Sequence, residues 1–326
     1  MLSAYLPRGS SLERMSVDPA ETIPEPAVWI DLVSPTMAED KLVERLTAVA
    51  VPTREEMQEI EVTSRLYVEN GAVFMTATLM CQADSENPKT TPVTFILAGH
   101  RLITVRYDEP RPFTIVGTKL ARACPTNVSG ETVMLDLLDA VVDRAADILE
   151  KIGADVDQVS REIFEPDDSS AAARSRSYQD ILRAIGRKGD LTSKVRESLV
   201  SIHRVLVYLA NEADNTKWAK DQRTALKGMQ RDVHSLSDHS TYLSSKITFL
   251  LDALLGMVSL EQNNIIKIFS VAAVVFMPPT LIASIYGMNF KHLPELDFDY
   301  GYPMAIIMMI VAAVLPYMLF KWKKWL

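Results

Sequence analysis

Asn289, Thr280 and Asn263 set neutral side-chain oxygens in and beside an uncharged stretch running from Ile268 to Phe290. Stepping back from Asn289 through Thr280, Met277, Phe269, Ile266 and Asn263 to Asp252 gives intervals near multiples of 3.5, so these residues can share one helical face. Copies of that face gathered around an axis would make a pore with polar rings at both ends. An apolar constriction at Ile266 and Phe269 would lie between them, a known gating arrangement. An amide carbonyl is too weak to strip water from a small dication, but it can hydrogen-bond to the water shell. Mg2+ dehydrates reluctantly and keeps several waters, so recognition through that shell suits it. Glu295, Asp297 and Asp299 follow in the next loop and would concentrate cations at the entrance; each could equally be a solvated surface acid.

Positioning such a face requires a membrane. The stretch from Ile268 to Phe290 and a second from Tyr300 to Phe320 are each long enough to cross a bilayer, which takes about 20 apolar residues as a helix. Lys267 precedes the first, and Lys321, Lys323 and Lys324 follow the second, whereas the intervening loop sets Lys291 against three acids. This asymmetry predicts that both termini are cytoplasmic. Trp322 and Trp325 fit the inner aromatic belt, and Tyr286, Tyr300 and Tyr302 the outer one. Residues 1–11 lack the charged start and apolar core of a secretory leader, so the aqueous part is expected to stay on the side of synthesis. The net charge of −8 over 326 residues argues against a nucleic-acid binder. Cys81 and Cys124 form no metal-binding spacing and read as reduced thiols.

The aqueous part reads as α/β up to residue 125. Strands are expected at 28–32, 65–68, 72–81, 93–97 and 102–106, with Asn70-Gly71 and Gly99-His100 as turns. Ser34-Pro35 signals a helix start, with helical patterning to about Val49 and again from Thr53 to about Glu61. A long helical hairpin follows over 126–215, with helices at 131–164 and about 176–210. A stalk helix over 216–265 then runs without a breaker into the first span. Leu236, Leu243, Ile247, Leu250, Leu254 and Met257 form a heptad stripe on it. That stripe is expected to pair with other copies, although packing on the chain's own earlier helices would explain it as well. The remaining divisions are a pore-lining span over 266–290, an outer loop over 291–301, a second span over 302–320 and a basic tail over 321–326.

The runs Tyr286-Gly287-Met288-Asn289-Phe290, Leu293-Pro294-Glu295-Leu296 and Gly301-Tyr302-Pro303 resemble the signature of the CorA family of magnesium and cobalt transporters. Phe276-Met277-Pro278-Pro279-Thr280 and the terminal Lys323-Lys324-Trp325-Leu326 are similar too. The resemblance implies a homopentamer with a funnel-shaped cytoplasmic domain in a bacterial inner membrane. It makes Gly287, Met288 and Asn289 the selectivity filter, and puts Thr280, Met277, Asn263 and Asp252 on pore-facing positions. Ile266 and Phe269 fall on the gate, with Phe269 bulkier than the family pattern. It also implies closure when cytoplasmic Mg2+ binds carboxylates between neighbouring subunits, with Asp84 and Asp232 as the matching acids. Mg2+ is then substrate and regulatory ligand, Co2+ and Ni2+ follow as further cargo, and no organic cofactor is implied.

Two rivals stand beside this reading: a zinc or other divalent-cation transporter of the same superfamily, and a non-conducting coiled-coil sensor anchored in the membrane. An enzyme is disfavoured, because the sequence has no phosphate-binding glycine loop, His-Glu-x-x-His or nucleophile elbow. His234 and His239 are spaced poorly for one helical face.

Overall fold

The computed structural model describes residues 1–124, 128–165, 171–288 and 300–323. They divide into two compact units, one of Met1–Asp168 with Gln179–Leu250, the other of Ser169–Tyr178 with Leu251–Leu326.

The first unit is built on a seven-stranded sheet formed by β1 (Leu2–Arg8), β2 (Ser11–Val17), β3 (Trp29–Val33), β4 (Leu66–Glu69), β5 (Ala72–Cys81), β6 (Lys89–Ala98) and β7 (Arg101–Arg106). The strands lie in the order β2-β1-β3-β7-β6-β5-β4. Every pairing is antiparallel except β3 with β7. Both anticipated turns are two-residue hairpin loops: Asn70 and Gly71 take φ of 51° and 78°, the left-handed geometry that matches strand twist. Pro92 sits opposite Thr78, one residue beyond the last β6–β7 pair, where its missing N–H deprives no ladder.

Alternation along the strands sorts side chains onto two faces. Leu2, Ala4, Ile30, Leu32, Phe74, Ile96, Ile103 and Val105 face one way and close a core with Leu42 and Val43 of α1 (Met37–Thr47) and Met57 of α2 (Arg54–Gln58). A short α3 (Val62–Arg65) leads into β4. Trp29 and Phe95 face the other way, against Phe113 of α4 (Arg111–Arg122), with ring centroids 6.3 and 6.2 Å apart. A buried polar chain runs through this second face. Trp29 Nε1 donates to Thr104 Oγ1, Thr104 donates to Asp31, and Arg106 clasps both Asp31 oxygens through Nε (3.0 Å) and Nη2 (2.8 Å).

Several element limits differ from the sequence reading. Residues 1–17 form β1 and β2, and residues 111–122 form α4, none of which the sequence pattern marked. The first helix starts two residues after Ser34-Pro35, because Thr36 and Glu39 complete a reciprocal capping box. A second box, Thr53 with Glu56, opens α2, which stops at Gln58 rather than Glu61.

Helices α5 (Gly130–Phe164), α6 (Ala171–Asn215) and α7 (Lys220–Tyr286) follow. Leu243 and Ile247, in the middle of the heptad stripe, are buried within the chain itself. Leu243 packs 3.8 Å from the position a side chain on Gly153 of α5 would take, and Ile247 3.7 Å from that on Gly189 of α6. This part of the stripe packs on the chain's own earlier helices, the second of the two readings the sequence allows. Lys188–Asp155 ties α6 to α5, and Lys246–Asp157 ties α7 to α5.

The α5 start is docked tightly. Gly130 N–H donates to the His100 carbonyl at 3.0 Å, and a Cβ at Gly130 would lie 2.5 Å from backbone atoms of Arg101 and Leu102. Backbone cannot swing aside as a flexible side chain can, so Gly130→Ala is expected to destabilise the first unit by about 1–3 kcal/mol, the usual range for overpacking. A melting curve of the full chain in detergent checks this; an unchanged midpoint would mean that the α5–β7 junction is looser than described.

In the second unit, residues 251–286 of α7 accompany α8 (Gly301–Trp322). Both helices are long and apolar enough to cross a membrane.

Candidate functional site

At 100° per residue, Asp252, Asn263, Ile266, Phe269, Met277 and Thr280 fall within an arc of roughly 120° on α7. Every one of them is exposed in the chain. Phe269 is 71%, Met277 68% and Ile266 61% accessible, and none of the apolar window of α7 is buried. A helix that is apolar all round and unburied by its own chain belongs in lipid or against other copies. The polar run Glu261-Gln262-Asn263-Asn264 ends the charged part of the helix, and Lys267 is its last charge before the apolar stretch.

Pro278 and Pro279 stand inside α7. They withdraw two amide donors, so the carbonyls of residues 274 and 275 lose their usual partners, one turn from Met277 and Thr280. Thr280 Oγ1 turns back to the Phe276 carbonyl at 2.7 Å. Such irregular backbone is tolerated at membrane depth only where it faces protein or water. The helix then tightens: Gly287 N–H donates to Ala283 O at 2.9 Å, and Met288 N–H to Ile285 O at 3.3 Å. A Cβ on Gly287 would come within 3.1 Å of the Ala283 carbonyl, which explains a glycine at this end. Asn289, Glu295, Asp297 and Asp299 lie outside the described residues.

The two acids assigned to regulation have different surroundings. Asp84, on the loop after β5, accepts from Lys151 at 3.2 Å and Arg144 at 2.5 Å, with Arg111 at 3.5 Å. The hydrogen bond from Lys151, then that from Arg144, holds its carboxyl below the ordinary value. Asp232, exposed on α7, instead adds to the negative field at Asp139 of α5. Desolvation, then the charge of Asp143, with Asp136 and Asp232 behind it, pushes the Asp139 carboxyl up against the opposing pull of Lys119. Asp136, Asp139 and Asp143 were not singled out in the sequence, although their spacing of three and four gives one helical face. Among the described residues, no group of three or more His, Cys, Asp or Glu side chains is set to hold a metal ion.

The lowered Asp84 value fixes a sign. The ionised form is favoured in the folded chain, so its stabilisation is full above the unfolded value of 3.8 and fades as the pH drops through the lower folded value. The carboxylate is half exposed, and solvent screening limits each such pair to about 0.2–1 kcal/mol. Asp84→Asn is therefore expected to lower stability slightly at pH 7, with the difference from the native chain shrinking below pH 3.8. Parallel melting curves at the two pH values measure it.

An α/β unit joined through one continuous helix to a two-span apolar hairpin, with a polar and apolar face exposed on the first span, is the organisation of a membrane ion transporter. The CorA-like Mg2+ transporter protein model matches residues 25–323. The magnesium transport protein CorA of Escherichia coli K12 is 34% identical over 326 residues, covering 100% of both chains. That of Mannheimia succiniciproducens is 32% identical with the same coverage. The chain belongs to the CorA family, a family of Mg2+ transporters rather than enzymes.

Among solved structures, complete CorA of Methanocaldococcus jannaschii aligns with a TM-score of 0.75 at 18% identity, covering 100% of this chain and 99% of that one. The cytoplasmic domain of ZntB from Vibrio parahaemolyticus aligns at 0.58 and 10% identity, covering 79% of this chain and 97% of that one. These likenesses concern the fold. The full-length sequence identity is what points to magnesium.

Proposed function

We propose that copies of the chain assemble as a homopentamer around α7, in a bacterial inner membrane with both termini cytoplasmic, and conduct hydrated Mg2+ inward. In this reading residues 1–125 are the cytoplasmic α/β domain, 126–215 the helical hairpin and 216–265 the stalk. The pore-lining span covers 266–290, the outer loop 291–301, the second span 302–320 and the basic tail 321–326. Glu295, Asp297 and Asp299 gather cations, and Gly287, Met288 and Asn289 select them by their water shell. The ions pass Thr280 and Met277, cross the Ile266/Phe269 gate, and leave past Asn263 and Asp252. Co2+ and Ni2+, with similar hydration shells, are further cargo.

One observation carries this reading: the pore-facing residues form an exposed arc on an apolar helix that its own chain leaves unburied. A negative-inside potential supplies about 2.3 kcal/mol per unit charge per 100 mV, doubled for a dication, so no nucleotide hydrolysis is required. Rising cytoplasmic Mg2+ favours the closed state by binding it more tightly. Asp232, in its acidic surroundings, is the stronger regulatory ligand; Asp84 serves only on release from Lys151, Arg144 and Arg111.

Uptake of Mg2+ into proteoliposomes, read with a Mg2+ indicator under an imposed potential, tests the proposal. Uptake that rises with the negative potential and falls when Mg2+ is loaded inside supports it. Uptake indifferent to the potential, or of Zn2+ but not Mg2+, would sink it.

A further inference from the structure

A cavity lies in the first unit, between the outer part of the sheet and α4. It holds about 320 Å3 of space, within the range small ligands occupy. Three guanidinium groups line it, those of Arg14 on β2, Arg106 on β7 and Arg122 at the end of α4, and no carboxylate does. In a chain of net charge −8 this is a locally positive cleft.

The donors are only partly used. Arg106 gives Nε and Nη2 to Asp31 and one Nη1 hydrogen to the Asp108 carbonyl, which leaves one hydrogen on each Nη. Arg14 shares Nε and Nη2 with Ser3 Oγ, which leaves Nη1. The Arg122 guanidinium has no ion pair or hydrogen bond among the described residues.

The floor is rigid and aromatic. Tyr5 stacks on Trp29 with centroids 4.1 Å apart, and the Arg106 guanidinium lies 4.7 Å over the Phe113 ring. Gly117 keeps the floor open, since a Cβ there would sit 3.4 Å from the Tyr5 hydroxyl. That hydroxyl is a further donor at the cavity.

We propose that this cavity binds a soluble phosphate-bearing small molecule, held by Arg14, Arg122 and the spare donors of Arg106. Guanidinium forks match phosphate oxygens two at a time, and phosphate offers enough acceptors to engage three forks and a phenol together. The site is separate from the ion path and its test does not depend on that path.

Calorimetric titration of the full chain in neutral detergent and metal-free buffer, with pyrophosphate as probe, tests the assignment. One saturable site per protomer is expected at physiological ionic strength. Arg122→Ser and Arg14→Ser should each weaken it roughly tenfold or more, as loss of a charge-assisted pair does. Arg122→Lys should recover part of the affinity, since the charge remains without the fork. Both side chains are exposed and both serine substitutions should leave Mg2+ uptake unchanged; Arg122→Ser should also leave the melting temperature unchanged, whereas Arg14→Ser takes the partner from the buried Ser3 hydroxyl and should lower it slightly. Absence of saturable binding to the native chain, binding unaffected by both serine variants, or tighter binding of citrate than of pyrophosphate would each overturn the proposal.

Discussion

Asn289→Ala is expected to reduce potential-driven Mg2+ uptake by about tenfold or more while leaving the melting temperature of the chain unchanged. In the proposed filter the amide would offer the hydrated ion a neutral carbonyl that accepts from its bound waters, and alanine would offer nothing. A net hydrogen bond is worth about 0.5–1.5 kcal/mol. In the proposed pentamer several subunits would lose one each, which exceeds the 1.4 kcal/mol that corresponds to one factor of ten. Asn289→Asp changes the chemistry differently. A carboxylate ring competes with the water shell and holds the dication, so influx is expected to fall although binding at the mouth strengthens. Conduction requires that the ion also leave. Uptake in proteoliposomes, with folding monitored in the same preparations, measures both variants. Native uptake in the alanine variant would remove the filter role from this residue.

Legibility in the sequence followed the strength of local patterns. The two spans could be read because nothing but long, uncharged, apolar stretches survives in lipid. The Asn70-Gly71 and Gly99-His100 turns could be read because their geometry demands those residue types. β2 could not: as an edge strand its Ser-Leu-Glu-Arg-Met-Ser-Val pattern buries only Leu12 and Val17. α4 begins with Arg111-Pro112 and has no side-chain cap, so the proline in its first turn is the one local signal of its start. The heptad stripe on α7 was visible, but the choice between its two possible partners was not, because packing against glycines of α5 and α6 depends on where distant residues arrive. The same limit hid the arginine cavity, whose three lining guanidiniums come from β2, β7 and α4. Asp84 was legible as an acid on a loop; its three cationic partners lie at positions 111, 144 and 151, beyond any local motif.

Asp31→Ala is expected to carry the largest stability loss in the chain. The native carboxylate is 1% exposed, and Arg106 is 9% exposed. Removing one member of a buried pair leaves an uncompensated charge, which costs about 3–5 kcal/mol. Here the loss extends further, because Asp31 also accepts from Thr104, which in turn accepts from Trp29. A domain stable by about 5–15 kcal/mol has little margin for this. Asp31→Asn should lie between, keeping a shape and one acceptor while still leaving Arg106 unpaired. The informative companion is Asp31→Leu with Arg106→Met, which removes both charges at similar volume. Replacing a whole buried pair by apolar groups is often neutral or stabilising, so the double variant should recover much of what Asp31→Ala loses. Melting curves of the full chain in detergent decide the matter. A single variant within about 1 kcal/mol of native would show that water reaches Arg106, since exposed pairs contribute no more than that. The two experiments also separate their causes. Asp31→Ala should lower uptake only in proportion to the folded protein that remains, whereas Asn289→Ala should lower it in a chain that is fully folded.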